Sequence, residues 1–173
     1  MKKLLIFTLT AAMLLSLAAC AQSAAPDTPA QEEPVSDNAQ IPNPWTDYET
    51  AADAAAASGF DLTAPEEISG CSEKTWHVMK GEDGDVIFEV TYGSDEARAA
   101  SVRKAPGADD ISGDYNDYAE TETLDVTGRS VTMKGNDGLV HLALWTDGGY
   151  SYALNVTAGL SQSDIAALVA EIQ

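Results

Sequence analysis

Cys20 carries the most specific chemistry among the residue types of this chain. Leu17-Ala18-Ala19-Cys20 closes an apolar run, Leu4–Leu17, that stands behind Lys2 and Lys3. Small residues followed by a thiol at the end of an export signal place a nucleophile where a diacylglyceryl group can be attached. Two acyl chains, at about 0.8 kcal/mol per buried CH₂, anchor stably where a single chain is marginal. Cys71 is the second of the two cysteines. With Cys20 committed to lipid, no partner is left for an intrachain disulfide. Ser69-Gly70-Cys71-Ser72-Glu73 offers an acid, whereas a reactive thiolate needs positive surroundings. Cys71 therefore reads as a small apolar residue.

The other candidates are sparse. His77 and His141 are the two histidines, and neither stands in an H-x-x-x-H or C-x-x-C pattern, so a zinc site lacks local support. His141 lies in the apolar strand Leu139–Trp145 and is expected to be a hydrogen-bonded core residue. His77 follows Trp76 in a weaker strand and is expected to be the more exposed one. No G-x-S-x-G elbow, G-x-G-x-x-G turn or Walker loop occurs, so no catalysis is evident. A cell-envelope hydrolase with His77 or His141 as base stands as an alternative.

Asp109–Asp117 is the one polar stretch with a choice of chemistries. Oxygens of Asp110, Ser112, Asp114, Asn116 and Asp117 can approach a hard cation such as Ca²⁺. An EF-hand register begun at Asp110 puts Tyr115 at the glycine position and Thr121 at the bidentate glutamate position, so the stretch is not an EF-hand. The same residue types are turn formers. The alternatives are a loop of turns or a calcium-responsive loop using Asp110, Asp114, Asn116 and Asp117. Tyr115 and Tyr118, with Trp45, either present an aromatic contact surface or pin the loop to a sheet. No other cofactor is indicated.

The charge narrows the partners. With 28 acids against 9 bases the net charge is −19, and loss of Lys2 and Lys3 with a cleaved signal takes it to −21. Such a chain repels phosphate backbones, which excludes nucleic acid as a partner.

Three regions must position these residues. Residues 1–19 form the signal; its apolar run is shorter than the roughly 20 residues of a membrane span, so it marks export rather than a spanning helix. The expected cut falls between Ala19 and Cys20. Residues 20–43 form a lipidated cysteine and an acidic stalk with Pro26, Pro29, Pro34 and Pro42, four acids and no base. Such a composition cannot order itself, and a flexible chain of that length spans roughly 25 Å. Residues 44–173 form a single domain.

In that domain Thr46-Asp47-Tyr48-Glu49 matches a capping box, so a helix is expected from Thr46 to Ser58, with Tyr48, Ala51, Ala52 and Ala55 buried and Gly59 as its left-handed stop. Lys74–Lys80 and Val86–Tyr92 form a hairpin, the second strand half-buried, and Ala97–Ala105 a further strand. After the polar stretch comes a four-stranded antiparallel meander turning at Gly128-Arg129, Asn136-Asp137-Gly138 and Asp147-Gly148-Gly149. Gly128 in the first place suits a type II′ turn. Leu139–Trp145 is expected to be central and covered on both faces. Ser161 caps a last helix with Asp164 at N3, and Ile165, Leu168, Val169 and Ile172 form its buried stripe. The fold class is α+β, an antiparallel sheet of about six or seven strands with an N-terminal and a C-terminal helix; a half-barrel resembling lipoprotein carriers is the alternative shape.

Two resemblances follow. Leu17–Cys20 behind such a signal resembles the lipobox of bacterial lipoproteins, which implies cutting by a type II signal peptidase. The segments Asn43-Pro44-Trp45, Ile111–Asn116, Lys134-Gly135-Asn136 and Ala143–Tyr152 resemble an uncharacterised domain of bacterial lipoproteins and exported proteins. Its relatives include extracytoplasmic parts of anti-sigma-factor-like membrane proteins. The resemblance spans Trp45–Gln173 and implies an α+β domain with no agreed activity and no catalytic residues to carry over. The lipid anchor sets this chain apart from the membrane-sensor members. The expected function is a lipid-anchored, extracytoplasmic binding or interaction module of the bacterial cell envelope, with an envelope protein or small ligand as partner. Its expected place is the outer face of the cytoplasmic membrane, or an outer membrane where the cell has one.

Overall fold

The computed structural model describes residues 43–81, 83–94 and 96–173. The expectations for the signal, Cys20 and the stalk to residue 42 lie outside the described residues. The element order is β1 (Trp45–Tyr48), α1 (Ala51–Ser58), β2 (Lys74–Lys80), β3 (Val86–Ser94), β4 (Ala97–Pro106), β5 (Glu120–Val126), β6 (Arg129–Asn136), β7 (Leu139–Asp147), β8 (Tyr150–Leu160) and α2 (Gln162–Glu171). The strands form one open sheet of eight, ordered β1-β2-β3-β4-β8-β7-β6-β5. Every neighbour pair is antiparallel.

The expected count of six or seven strands falls short because Trp45–Tyr48 is a strand, not the first turn of a helix. It pairs with β2 through Trp45↔Met79 and Asp47↔His77. The helix begins four residues later than expected. Thr50, in extended conformation, accepts from the Asp53 N–H and donates its hydroxyl to the Asp53 carboxylate, so Thr50 and not Thr46 is the N-cap. The alanines give no strong amphipathic stripe, so Ala54 is buried while Ala51 and Ala52 are exposed. Gly59 ends the helix at φ 87°, the left-handed position expected for it.

The three expected turns of the meander are two-residue loops with both central residues at positive φ: Thr127-Gly128, Asp137-Gly138 and Gly148-Gly149. These are type I′ turns, whose twist matches the strands. The first lies one residue earlier than expected, because Val126 pairs directly with Arg129.

Side chains alternate across the sheet. One face carries Val78, Phe88, Val90, Tyr92, Val102, Leu154, Val131 and Met133, and these pack with Ala54, Leu62, Ile68 and the α2 stripe into the core. Ile165, Val169 and Ile172 are fully buried there and contribute about 5–9 kcal/mol before entropy is counted. The end of α2 has no base in its last turn. Arg129 supplies one from β6: Nη1 donates to the carbonyls of Val169 at 2.8 Å and Ile172 at 3.0 Å, and Nε pairs with Asp147 at 2.9 Å. On the same face, one row of the sheet away, the Lys104 ammonium donates to the Asp61 carbonyl at 2.7 Å and lies 4.6 Å from the Tyr150 ring centroid. Burial holds its pKa below the usual lysine value, against the pull of Asp61 and Asp147.

The second face mixes polar and charged side chains with apolar ones such as Met79, Ile87 and Leu144, and the topology explains what crosses it. The chain leaves β4 in mid-sheet and must reach the β5 edge beyond β8, β7 and β6. Four strand spacings amount to about 19 Å. Residues 107–119 span that distance over the face opposite the helices. β3 is buried on both sides from Phe88 to Tyr92, Glu89 beneath Arg98 and Arg103 and Thr91 against His77, where a half-buried strand was expected.

Candidate functional site

Under the crossing loop, side chains fall into registered rows. One runs Asp47–His77–Glu89–Arg103–Ala153–Leu144–Thr132–Thr123 from β1 to β5. The next runs Thr75–Thr91–Ser101–Asn155–Leu142–Lys134–Thr121. Charged groups thus stand side by side on strands whose alternation hides one face from solvent.

Glu89 is the pivot. Its carboxylate, 4 % exposed, pairs with Arg103 on β4 and with Arg98 at 3.5 Å. Arg103 turns its remaining donors to the loop: Nη1 donates to the carbonyls of Ile111 at 3.1 Å and Ser112 at 2.7 Å. Asn155 also reaches the Ser112 carbonyl. The Trp45 ring covers the guanidinium, 5.2 Å away. A Cβ on Gly113, at φ 63°, would meet Arg103 Nη1 at 2.5 Å, so the close approach of loop and guanidinium requires glycine. A buried pair that loses one member leaves the other uncompensated, at a cost of about 3–5 kcal/mol. Arg103 therefore fixes the loop to the sheet.

The loop holds its own shape by side-chain bonds to the backbone two residues on. Asp110 accepts from the Ser112 N–H at 2.9 Å, Ser112 Oγ from Asp114 at 3.1 Å, and Asp114 from Asn116 at 2.8 Å. Tyr118 donates to the second Asp114 oxygen at 2.6 Å. Burial pulls the Asp114 carboxyl upward, but the bonds from Tyr118 and Asn116 outweigh it and hold its pKa below the usual value. Burial and the Asp114 charge push Tyr118 up to about 12. The oxygens offered to a cation by Asp110, Asp114 and Ser112 thus accept from the loop's own donors, and Asn116 and Asp117 are exposed. Among the described residues no group of three or more His, Cys, Asp or Glu is placed to hold a metal.

The three aromatic residues part company. Trp45 packs on Arg103 and, edge-on, on His77. Tyr118 stacks on His141 at 22° between planes. Tyr115, at the loop tip, is 97 % exposed.

The two histidines exchange their expected places. His77 is buried, with Nδ1 2.7 Å from Asp47 Oδ1 and Nε2 3.1 Å from Thr91 Oγ1. In the neutral ring, Nδ1–H donates to Asp47 and Nε2 accepts from Thr91. Acid, imidazole and hydroxyl stand in the order of a hydrolytic triad. Yet His77 and Thr91 are only 8 % and 3 % exposed, which leaves no approach for a scissile carbonyl. The chain of bonds latches edge strand β1 across β2 to β3. His141 is half-buried, 3.3 Å from the Val156 carbonyl. Cys71 is half-buried against the core and closes a tight turn with Ile68.

Clefts flank the loop on both sides. A cavity of about 320 Å³ lies between Asp109-Asp110 and the hydroxyls of Ser130, Thr132, Thr146 and Ser151. Another, of about 240 Å³, is bordered by Arg98, Ser101, Tyr115, Asn116 and Asn155. Sequence reasoning missed Glu89, Arg103 and Asn155. One signal was present: Glu89 is the single acid inside Val86–Tyr92, and the adjoining strand carries Arg98 and Arg103.

Comparison with protein-family models, with curated proteins and with solved structures gives no match.

Proposed function

We propose that this chain is a lipid-anchored, extracytoplasmic binding module of the bacterial cell envelope, without catalysis, whose contact surface is the loop-crossed sheet face. The observation that carries the proposal is the loop itself. Arg103 pins it from beneath, its own hydrogen bonds stiffen it, and Tyr115 stands almost wholly exposed at its tip. Held loops with exposed aromatics are favoured contact sites, because little entropy is lost on binding. The Leu17–Cys20 segment, which resembles a lipobox, and the acidic stalk support the location, and the segments that resemble an uncharacterised lipoprotein domain point the same way.

Two measurements test it. Cells fed a clickable palmitate should label the protein through Cys20, with the label lost in Cys20→Ala. A photo-crosslinking amino acid at position 115 in intact envelopes should give a discrete adduct, absent when the crosslinker replaces exposed Asp137 instead. Labelling that survives Cys20→Ala removes the anchor, and the same adducts at 115 and 137 remove the contact surface.

A further inference from the structure

A cleft of about 290 Å³ opens between the β2–β3 hairpin and the segment that leaves β4. Met79 and Ile87, a cross-strand pair on the loop-bearing face, form its floor, with Ala105, Pro106 and Ile111 around them. Met79, Ile87 and Ile111 are half-buried and Pro106 is exposed, so apolar surface is left facing water. Asp85 stands on the hairpin bank, and Asp109 and Asp110 on the loop bank, all three exposed. No ion pair among the described residues uses any of them. Arg103, on the same face, has its guanidinium committed to Glu89 and the carbonyls of Ile111 and Ser112. Lys80 alternates to the other side of its strand from Met79.

An apolar floor between two acidic banks selects its occupant by charge. The stalk cannot serve: residues 21–43 carry Asp27, Glu32, Glu33 and Asp37 and no base. We infer that the cleft docks an extended segment of another polypeptide in which an apolar side chain is flanked by lysine or arginine. This rests on the binding-module reading and names the chemistry of the partner. The apolar side chain leaves water over Met79 and Ile87, and the flanking cations meet Asp85 on one side and Asp109-Asp110 on the other. The negative field of the whole chain draws such a segment in.

The test titrates the intact protein with three probes, acetyl-Lys-Leu-Lys-amide, acetyl-Lys-Gly-Lys-amide and acetyl-Glu-Leu-Glu-amide, and follows the methyl resonances of Met79, Ile87 and Ile111. Lys-Leu-Lys should bind saturably and shift those methyls, and added salt should weaken it. Lys-Gly-Lys should bind at least about tenfold more weakly, the loss expected when one leucine is left out of an apolar site. Asp85→Asn/Asp109→Asn should weaken Lys-Leu-Lys about tenfold, with an unchanged melting temperature. Asp110 is left intact because it caps the Ser112 N–H. Equal binding of Lys-Leu-Lys and Lys-Gly-Lys, saturable binding of Glu-Leu-Glu, or methyl shifts unaffected by the double variant would each overturn the inference. A discrete adduct at position 115 without peptide binding sinks the cleft alone; loss of both sinks the binding module as well.

Discussion

Tyr118 ties three parts of the polar face together: its hydroxyl donates to Asp114, its ring lies on His141, and its backbone ends the crossing loop. Its pKa is pushed up to about 12 by burial and by the Asp114 charge. The unfolded phenol titrates near 10. Between these values the unfolded chain has released the proton and the folded one keeps it. The contribution is therefore complete below pH 10 and is lost as pH rises through about 12. Tyr92, raised by burial, acts with the same sign, and Lys104, lowered by burial, acts with the opposite one. The expected result is a stability that falls over that interval, with a slope made shallower by Tyr118→Phe by less than one proton's worth. Urea titrations of both proteins at several alkaline pH values measure it, and identical slopes would refute the assignment. The histidines show why single residues are hard to place from sequence. His141 sits in an apolar run, yet beside a bulge that turns it toward Tyr118. His77 sits in a mixed run, yet between two hydrogen-bonding partners on neighbouring strands.

Elements were legible where local chemistry and tertiary pairing agree. The meander combines strong alternation with glycine in each turn, so its strands could be read directly, and the first turn slipped by one residue only because Thr127 takes positive φ without being glycine. The N-terminal helix was misplaced because Thr46 and Thr50 are both suited to an N-cap. Pairing of Trp45–Tyr48 with β2 decides between them, and that partner lies outside any local window. Helix α2 was read correctly, but the cation at its end was not visible, since Arg129 comes from a different element. Replacing Arg129 by Gln removes an ion pair and weakens two bonds to helix carbonyls. The expected loss is about 1–3 kcal/mol, and Arg129→Lys should restore only part of it, because a single ammonium cannot hold Asp147 and two carbonyls in the same fork. Chemical denaturation gives both values, and full rescue by lysine would show that charge alone matters.

At the scale of the molecule, the α+β class and most strands follow from periodicity, while the candidate site does not. Glu89 meets Arg103 only because β3 and β4 pair in one register, and the loop meets Arg103 only because the chain must cross from mid-sheet to the far edge. That crossing has a kinetic consequence. Among the described residues all other pairings join consecutive strands, and β4 with β8 alone joins distant ones, through pairs such as Val102↔Leu154. The sheet is thus two local meanders meeting at one seam, and loop closure must precede the contacts that reward it. Zippering of the seam is expected to limit refolding. Leu154→Ala, at the seam and fully buried, should slow refolding, whereas Val131→Ala, equally buried within one meander, should act mainly on the unfolding rate. Stopped-flow kinetics of the two variants would reverse that order if formation of the second meander were the slow event.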